Sequence, residues 1–307
     1  MIKKFKILSI DGGGVRGVYP AHILDCMERR LDISLFDSFD LIAGTSTGAI
    51  IAAGIASGIP AAKIVDLYKE HSKDIFKPKK FSNRYSFLTR SVYKPDYLQK
   101  TLQNVFGEIT LGQLDKPLLI PTTDIGNGCV HVFKSGYSKS FVRDANVLVS
   151  DAVLASCSAP MYFDPHDVDS YLLADGGLWA NNPALAAVIE AEKRFEINKD
   201  DIQVLTIGTG HSKTMYGTHA PRKWGFATGW KRKEFIGFIL SLQSQSALNY
   251  LNLQFKSDQV KRINFESDMP LELDNIKNID DLVSRADKDF THNSKEIKQF
   301  IESGEIR

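Results

Sequence analysis

The stretch "LIAGTSTGAIIAAG", Leu41 to Gly54, sets a serine, Ser46, between Gly44 and Gly48. The pattern Gly-x-Ser-x-Gly between an apolar run and a helical run is that of a nucleophile elbow. Its spacing has a steric cause. A serine thrust out of a tight strand-to-helix turn leaves no room for side chains two residues before or after it. Such a turn aims the hydroxyl away from the helix start, and the following amide, that of Thr47, can bind developing negative charge. Two further glycine-rich turns follow apolar runs: "DGGGVRG", Asp11 to Gly17, and "ADGG", Ala174 to Gly177. The first offers Gly12, Gly13 and Gly14 as unobstructed amide donors, with Arg16 and Gly17 closing the motif. The second places Asp175 before Gly176 and Gly177, where its carboxylate could take a proton.

The first turn has a second reading. Gly12, Gly14 and Gly17 also fit the Gly-x-Gly-x-x-Gly fingerprint of a Rossmann-type nucleotide-binding oxidoreductase. That fold needs an acidic residue at the end of the second strand to hold a ribose, and the second strand ends "IAGTST". The base for Ser46 also has alternatives. A Ser46–Asp175–His211 triad follows the chain order of many α/β hydrolases, and His211 stands after "TIGTG". His166, His219 and His292 have no strand-end placement. Without a histidine, Asp175 would have to accept the serine proton directly. A free carboxylate near pKa 4 is a weak base, so positioning and oxyanion stabilisation would have to compensate.

The elements that must position these groups alternate. Strands are expected at Phe5–Ile10, Phe39–Gly44, Pro117–Ile125, Val130–Lys134, Ser170–Gly177 and Ile202–Gly208. Helices are expected at Val15–Leu31, Gly48–Ser57, Pro60–His71, Asn146–Ser156 and from Asn182 to Phe195, the last opening with an Asn cap and a first-turn proline. Long helices follow at Lys233–Phe255 and Asn278–Ile301, the second with a break at "THNS". Several strands are unbroken apolar runs, which favours a mostly parallel sheet covered on both faces. One domain is expected: residues 1–235 as the catalytic unit, and 236–307 as a helical extension packed on it.

Composition excludes several classes. At 307 residues, 43% hydrophobic and 24% charged, the chain is neither disordered nor fibrous. A net charge of +1 gives no global field for DNA or RNA. Cys26, Cys129 and Cys157 are three in number and far apart, so neither a disulfide framework nor a metal set is expected. The opening "MIKKFKILSIDGGG" lacks the apolar core of a secretion signal, and a cytoplasmic place is expected. Leu41 to Ala62 carries no charge and is long enough to span a bilayer, but its Gly, Ser, Thr and Pro60 read as strand, turn and helix.

Taken in order, "DGGGVRG", "GTSTG" and "DGG" resemble the patatin-like phospholipase family. So do "ASCSAPMYF" (Ala155–Phe163), "NNP" after the Asp-Gly-Gly turn, and "LTIGTG". The resemblance runs from about Phe5 to Gly210, and the last third carries no matching motif. It implies a three-layer α/β/α hydrolase with a mostly parallel central sheet and no metal or cofactor. In that scheme Ser46 is the nucleophile and Asp175 its base, Gly12, Gly13, Gly14 and Arg16 belong to the oxyanion loop, and His211 is not catalytic. Arg16 would either draw a phosphate head group or pair with a surface acid. The implied activity is cleavage of membrane phospholipid esters. Some bacterial members are effectors switched on by cyclic nucleotides in antiphage defence, which makes a nucleotide activator a further expectation; regulated assembly into a homo-oligomer through the C-terminal helices is a separate one.

A lipid substrate also requires an interfacial surface. Lys69–Lys94 holds eight basic residues against two acids, with Phe76, Phe81, Tyr85, Phe87 and Tyr93. His211–Lys233 holds six Lys or Arg and no acid, with Tyr216, Trp224, Phe226 and Trp230. Basic residues interleaved with aromatics suit peripheral contact with the inner face of an anionic membrane, or a pocket for a phosphorylated ligand. Solvated loops whose aromatics pack inward would read the same way.

Overall fold

The computed structural model describes residues 4–79, 90–212, 223, 233–269 and 271–303. The chain opens with β1 (Phe5–Ile10), α1 (Val18–Leu31), α2 (Leu35–Ser38), β2 (Leu41–Gly44), α3 (Thr47–Ala56), α4 (Ala61–Ile75) and α5 (Asp96–Phe106). β3 (Leu118–Asp124), β4 (Cys129–Lys134), α6 (Val149–Ser156), β5 (His166–Val168), β6 (Tyr171–Asp175), α7 (Gly177–Ala180) and α8 (Ala184–Arg194) follow. β7 (Ile202–Ile207), β8 (His211–Ser212), α9 (Lys233–Gln254), β9 (Val260–Ile263), β10 (Glu266–Ser267) and α10 (Ile279–Glu302) complete it.

Among the described residues one eight-stranded sheet runs β5-β6-β3-β2-β1-β7-β9, with β4 added to β3. The stretch β3-β2-β1-β7-β9 is parallel throughout. Alternation along its strands sorts side chains to two faces. Leu8, Ile10, Ile42, Leu118, Leu205 and Ile207 pack toward a core shared with α1, α3, α4, α6 and α10. Ile7, Leu41, Ala43, Leu119, Ile202 and Val204 pack toward α8 and the last turns of α9, through Leu251 and Phe255. Both faces are therefore covered, which is why these strands read as unbroken apolar runs. Each fully buried Leu or Ile contributes about 1.5–3 kcal/mol against exposure.

Register explains how the catalytic candidates come together. β4 occupies one edge of β3 from Leu119 to Asp124. On the other edge, β2 pairs in parallel with Leu118 and Leu119, and β6 pairs antiparallel with Thr122 to Asp124. The two strands share one lane along β3 and run toward each other. β2 ends at Gly44 and β6 ends at Asp175, paired with Thr122. The gap between them is where Ser46 stands.

The stretch Leu41–Ala62 becomes β2, α3 and the start of α4. α3 is buried along its whole length, and no described helix is long and apolar enough to cross a membrane. Two expectations for the last third change. α10 runs unbroken through Thr291–Ser294, because Phe290 and Ile297 on either side both anchor it to the core. Nor is residues 236–307 a purely helical extension: β9 joins the main sheet beside β7. α5, β5 and β9 are elements the sequence reading passes over.

α10 lies along α1 with Phe290 at 2% exposure. Phe290→Ala is expected to cost about 3–5 kcal/mol through the cavity left behind. Urea unfolding followed by both tryptophan fluorescence and circular dichroism should show one shifted, coincident transition. Separate transitions would mean that α10 is not part of the same cooperative unit.

Candidate active site

Ser46 adopts φ 54 and ψ −124, a left-handed backbone that a serine rarely takes. The surroundings hold it there. Its amide donates to the Ser156 hydroxyl at 2.9 Å, and that hydroxyl donates to the Pro121 carbonyl at 2.7 Å. The elbow glycines are required by contact. A Cβ on Gly48 would stand 2.3 Å from the Ile10 carbonyl, and one on Gly44 would stand 2.1 Å from the Gly48 carbonyl. Gly17 packs as closely on the Thr47 side chain, whose hydroxyl meets that of Tyr68.

Asp175 faces the serine from the end of β6. It is 5% exposed and lines the same cleft as Ser46. Its Oδ1 accepts the Gly177 amide at 2.6 Å. Burial raises its carboxyl, Ser46 and the Gly177 amide oppose the rise, and the balance stands at about 6. Gly176 lies against the Pro121 carbonyl, and Gly177 against Leu240 of α9 and the Asp175 carboxylate. The Cys157 thiol, buried beside the same serine, is itself pushed well up by burial and by the Asp175 charge.

The glycine loop stands beside this pair, at the end of β1. A Cβ added to Gly12 would lie 3.3 Å from the Ser46 Cβ. Gly14 takes φ +59, and a side chain there would also strike the Leu273 carbonyl. The Gly12 amide is committed to the Asn181 carbonyl at 3.0 Å. The amides of Gly13, Gly14 and Thr47 donate to no described group. Of the amides expected to act as donors, that of Gly12 is therefore satisfied within the fold.

Arg16 is not on the surface. It is 8% exposed, donates from Nε to the Gly13 carbonyl at 3.0 Å, and from Nη1 to the Gly210 carbonyl at 3.1 Å. Burial lowers its guanidinium to about 10, so it stays charged at neutral pH. It therefore ties the glycine loop to the turn after β7, and the surface-acid alternative falls away. Thr209 secures the same loop by donating to the Gly12 carbonyl at 2.8 Å. Arg262 of β9 grips Asp11 with two bonds of 2.8 and 2.6 Å.

His211 is not among the groups brought to the Ser46 cleft. It stands near Asn264 at 3.3 Å and Glu266 at 3.9 Å. It does not line the cleft that holds Ser46 and Asp175. The sequence reading missed Ser156, Thr209, Asn181 and Arg262. The first three fall within stretches already singled out by motif, whereas Arg262 has no local signal. A cluster of His22, Asp25 and Cys26 has metal-like spacing, but Asp25 is taken up by a bidentate pair with Arg29.

The cleft over Ser46 is walled by apolar side chains, among them Ile50, Leu67, Ile75, Phe76, Leu98 and Phe163. Its volume is about 80 Å³, well under the ~300–1,000 Å³ of ordinary ligand sites. Ile236 and Leu240 of α9 and Leu273 form part of the wall.

A sheet covered on both faces, with a strained serine at the end of one strand and a carboxylate meeting it from another, places the molecule in the α/β/α hydrolase class. The patatin-like phospholipase family matches residues 8–188, and this chain belongs to that family. The dinucleotide-fold reading of Gly12, Gly14 and Gly17 is thereby overturned. A cGAMP-activated phospholipase of Escherichia coli strain TW11681 is 36% identical over 223 residues, 67% of this chain and 62% of that protein. The matched part of this chain thus spans less than two thirds of that relative's own length. A cUMP-AMP-activated phospholipase of Escherichia coli is 29% identical over 313 residues, 96% of this chain and 93% of that protein. Patatin-like protein 4 of Arabidopsis thaliana is 31% identical over 362 residues, covering 96% and 90%. The last two extend through the C-terminal third, where no motif was readable.

The raised carboxyl of Asp175 has a sign. With a folded pKa of about 6 against an ordinary 3.8, the fold favours the protonated form. That contribution to stability is full below about pH 4 and is lost as pH rises through 6. Asp175→Asn is therefore expected to melt above the wild type at pH 8, by up to about 3 kcal/mol at 1.36 kcal/mol per pKa unit, and level with it near pH 4. Calorimetry at both pH values checks this; a variant less stable than wild type at pH 8 contradicts it.

Proposed function

We propose that this chain is a lipid acyl hydrolase of phospholipase A type, acting through a Ser46–Asp175 dyad. The placement of Ser46 and a buried Asp175 in one apolar cleft, with the serine close enough to lower the carboxyl's pKa, carries the reading. Ser46 Oγ attacks an ester carbonyl carbon while Asp175 takes its proton. The amides of Gly13, Gly14 and Thr47 hold the resulting oxyanion, with the Gly12 carbonyl pinned so that the loop cannot turn away. The alkoxide of the lysolipid leaves with the proton from Asp175, and an acyl-serine remains. Water, deprotonated by the same carboxylate, then releases the fatty acid and restores the serine. A carboxyl near 6 is a better base than an ordinary aspartate and is still ionised at neutral pH.

The apolar wall fits the acyl chain of a membrane phospholipid, and the narrow cleft fits an enzyme held inactive until needed. The names of the relatives support a cyclic-nucleotide activator, with action from the cytoplasm on the inner membrane face as an antiphage effector. Membrane contact through Lys69–Lys94 and His211–Lys233 falls largely on residues 80–89, 213–222 and 224–232, outside the described ones. Assembly into a homo-oligomer belongs to the same proposal.

Ser46→Ala and Asp175→Asn are each expected to lower fatty-acid release from phospholipid vesicles by at least about 10³-fold, in line with loss of a nucleophile or base. The wild-type rate should rise with pH along a limb near 6. Mass spectrometry of the lipids is the readout. Release that survives Ser46→Ala in folded protein sinks the reading.

A further inference from the structure

α1 and α10 lie against each other, and one patch of their interface gathers four groups of the kinds that bind metal ions. His22, Asp25 and Cys26 fall at i, i+3 and i+4 on one face of α1. A ligand atom from each lies within 4.8 Å of the others. Asp287 of α10 closes the patch, its Oδ1 standing 3.7 Å from His22 Nε2 and 3.9 Å from Cys26 Sγ. None of the four lines the catalytic cleft. Cysteine spacing could not disclose this set, because Cys26 and Asp287 are 261 positions apart.

The two carboxylates differ in what they can do. Asp25 is gripped by Arg29 through two bonds of 2.7 and 2.6 Å, which withdraws it from direct ligation. Its Oδ2 stands 3.6 Å from His22 Nδ1. That nitrogen is buried and has no hydrogen-bond partner, which is uncommon inside a fold. The arrangement suits a histidine that turns its Nδ1–H to a carboxylate and offers Nε2 to a metal, the carboxylate fixing the ring. His22 Nε2, Cys26 Sγ and Asp287 Oδ1 are then the ligand atoms. In a tetrahedral zinc site, with bonds of ~2.0–2.3 Å, neighbouring ligand atoms stand roughly 3.3–3.6 Å apart. The observed 3.7 and 3.9 Å need close by only a few tenths of an ångström.

The donors are chemically suited as well. Burial holds the His22 imidazole below its ordinary value, so at neutral pH it keeps a lone pair to give. Burial pushes the Cys26 thiol up to about 11. A metal ion would draw off that proton, which passes to solvent as the sulfur–metal bond forms. One thiolate, one imidazole and one carboxylate select a borderline cation of the zinc type over magnesium or calcium, which prefer oxygen sets. Asp287 also pairs with Arg30, but their side chains are 46% and 40% exposed. The guanidinium can therefore turn out to water at little cost.

We propose that His22, Cys26 and Asp287 form a binding site for one zinc-class divalent cation that ties α1 to α10, with Asp25 orienting the histidine. The inference does not rest on the reading of the chain as a lipid hydrolase. The complete set exists only where the two helices are packed together, so the ion stabilises the folded C-terminal third.

The test is titration of the untagged, chelator-stripped full chain with cobalt(II) and then zinc(II). One cobalt per chain is expected, with the charge-transfer absorption of a thiolate–cobalt bond and the strong visible bands of a four-coordinate ion. Zinc should displace the cobalt and raise the melting temperature. Cys26→Ser should abolish the charge-transfer band, whereas Cys129→Ser, at an exposed thiol, should keep it. Asp287→Asn should weaken zinc binding at least about tenfold, and serves if Cys26→Ser does not fold. Absence of cobalt and zinc binding to wild type overturns the proposal. So does a thiolate band that survives in folded Cys26→Ser, zinc affinity unchanged in Asp287→Asn, or an equal rise in melting temperature with magnesium. A cluster that is only a set of ion pairs would melt at the same temperature with and without zinc.

Discussion

Everything at the catalytic centre depends on two strands sharing one edge of a third. β2 and β6 hydrogen-bond to successive parts of β3 from opposite directions. Each must stop before it reaches the other, and their facing ends bring a hydroxyl and a carboxylate to one cleft. The carboxylate pays for this position in lost hydration: it is nearly removed from water, with the Gly177 amide as its donor. The same dehydration would suit Asp175 to the proposed role of base, because a carboxyl that resists ionisation also takes back a proton readily. Strain on the serine backbone and dehydration of the aspartate are thus two local destabilisations sustained by a well-packed frame.

That frame is supplied by distant parts of the chain. The glycine loop would be free to turn if it depended on its own residues alone. It is instead fixed on every side: by Thr209 and Arg16 to the turn after β7, by Asn181 to the start of α8, and by the Leu273 carbonyl to the Val15 amide at 2.8 Å. Asp11, at the root of the loop, is held by Arg262. Donors fixed before the substrate arrives need no reorganisation when charge develops, which is the main source of their catalytic effect.

Much of this was legible in the residue order. Gly44, Ser46 and Gly48 disclosed the elbow because the steric demand is local, and the unbroken apolar runs disclosed a sheet with two covered faces. Asp175 was legible as a strand-end carboxylate, but not the direction of its strand: β6 runs antiparallel to β3, and pairing direction leaves little trace in five residues. Arg16 could not be placed, since a guanidinium caught by two carbonyls looks like any arginine in sequence. Arg262 and β9 were invisible for a different reason. A four-residue strand, "VKRI", with two basic residues has no period to detect, and its role exists only through a partner at the other end of the chain.

The distance between those partners has a consequence for synthesis. Asp11 and Arg262 are separated by 251 positions. At roughly 5–20 residues per second on the ribosome, about 13 to 50 seconds pass between the appearance of the first and the second. Only in the last part of that interval does β7 exist, with the edge that β9 will cover still unpaired, and throughout it the glycine loop lacks its anchor at Arg262. Such long-range closure is entropically late in any folding route. A nascent chain therefore carries Ser46 long before Arg262 can fix the glycine loop that stands beside it.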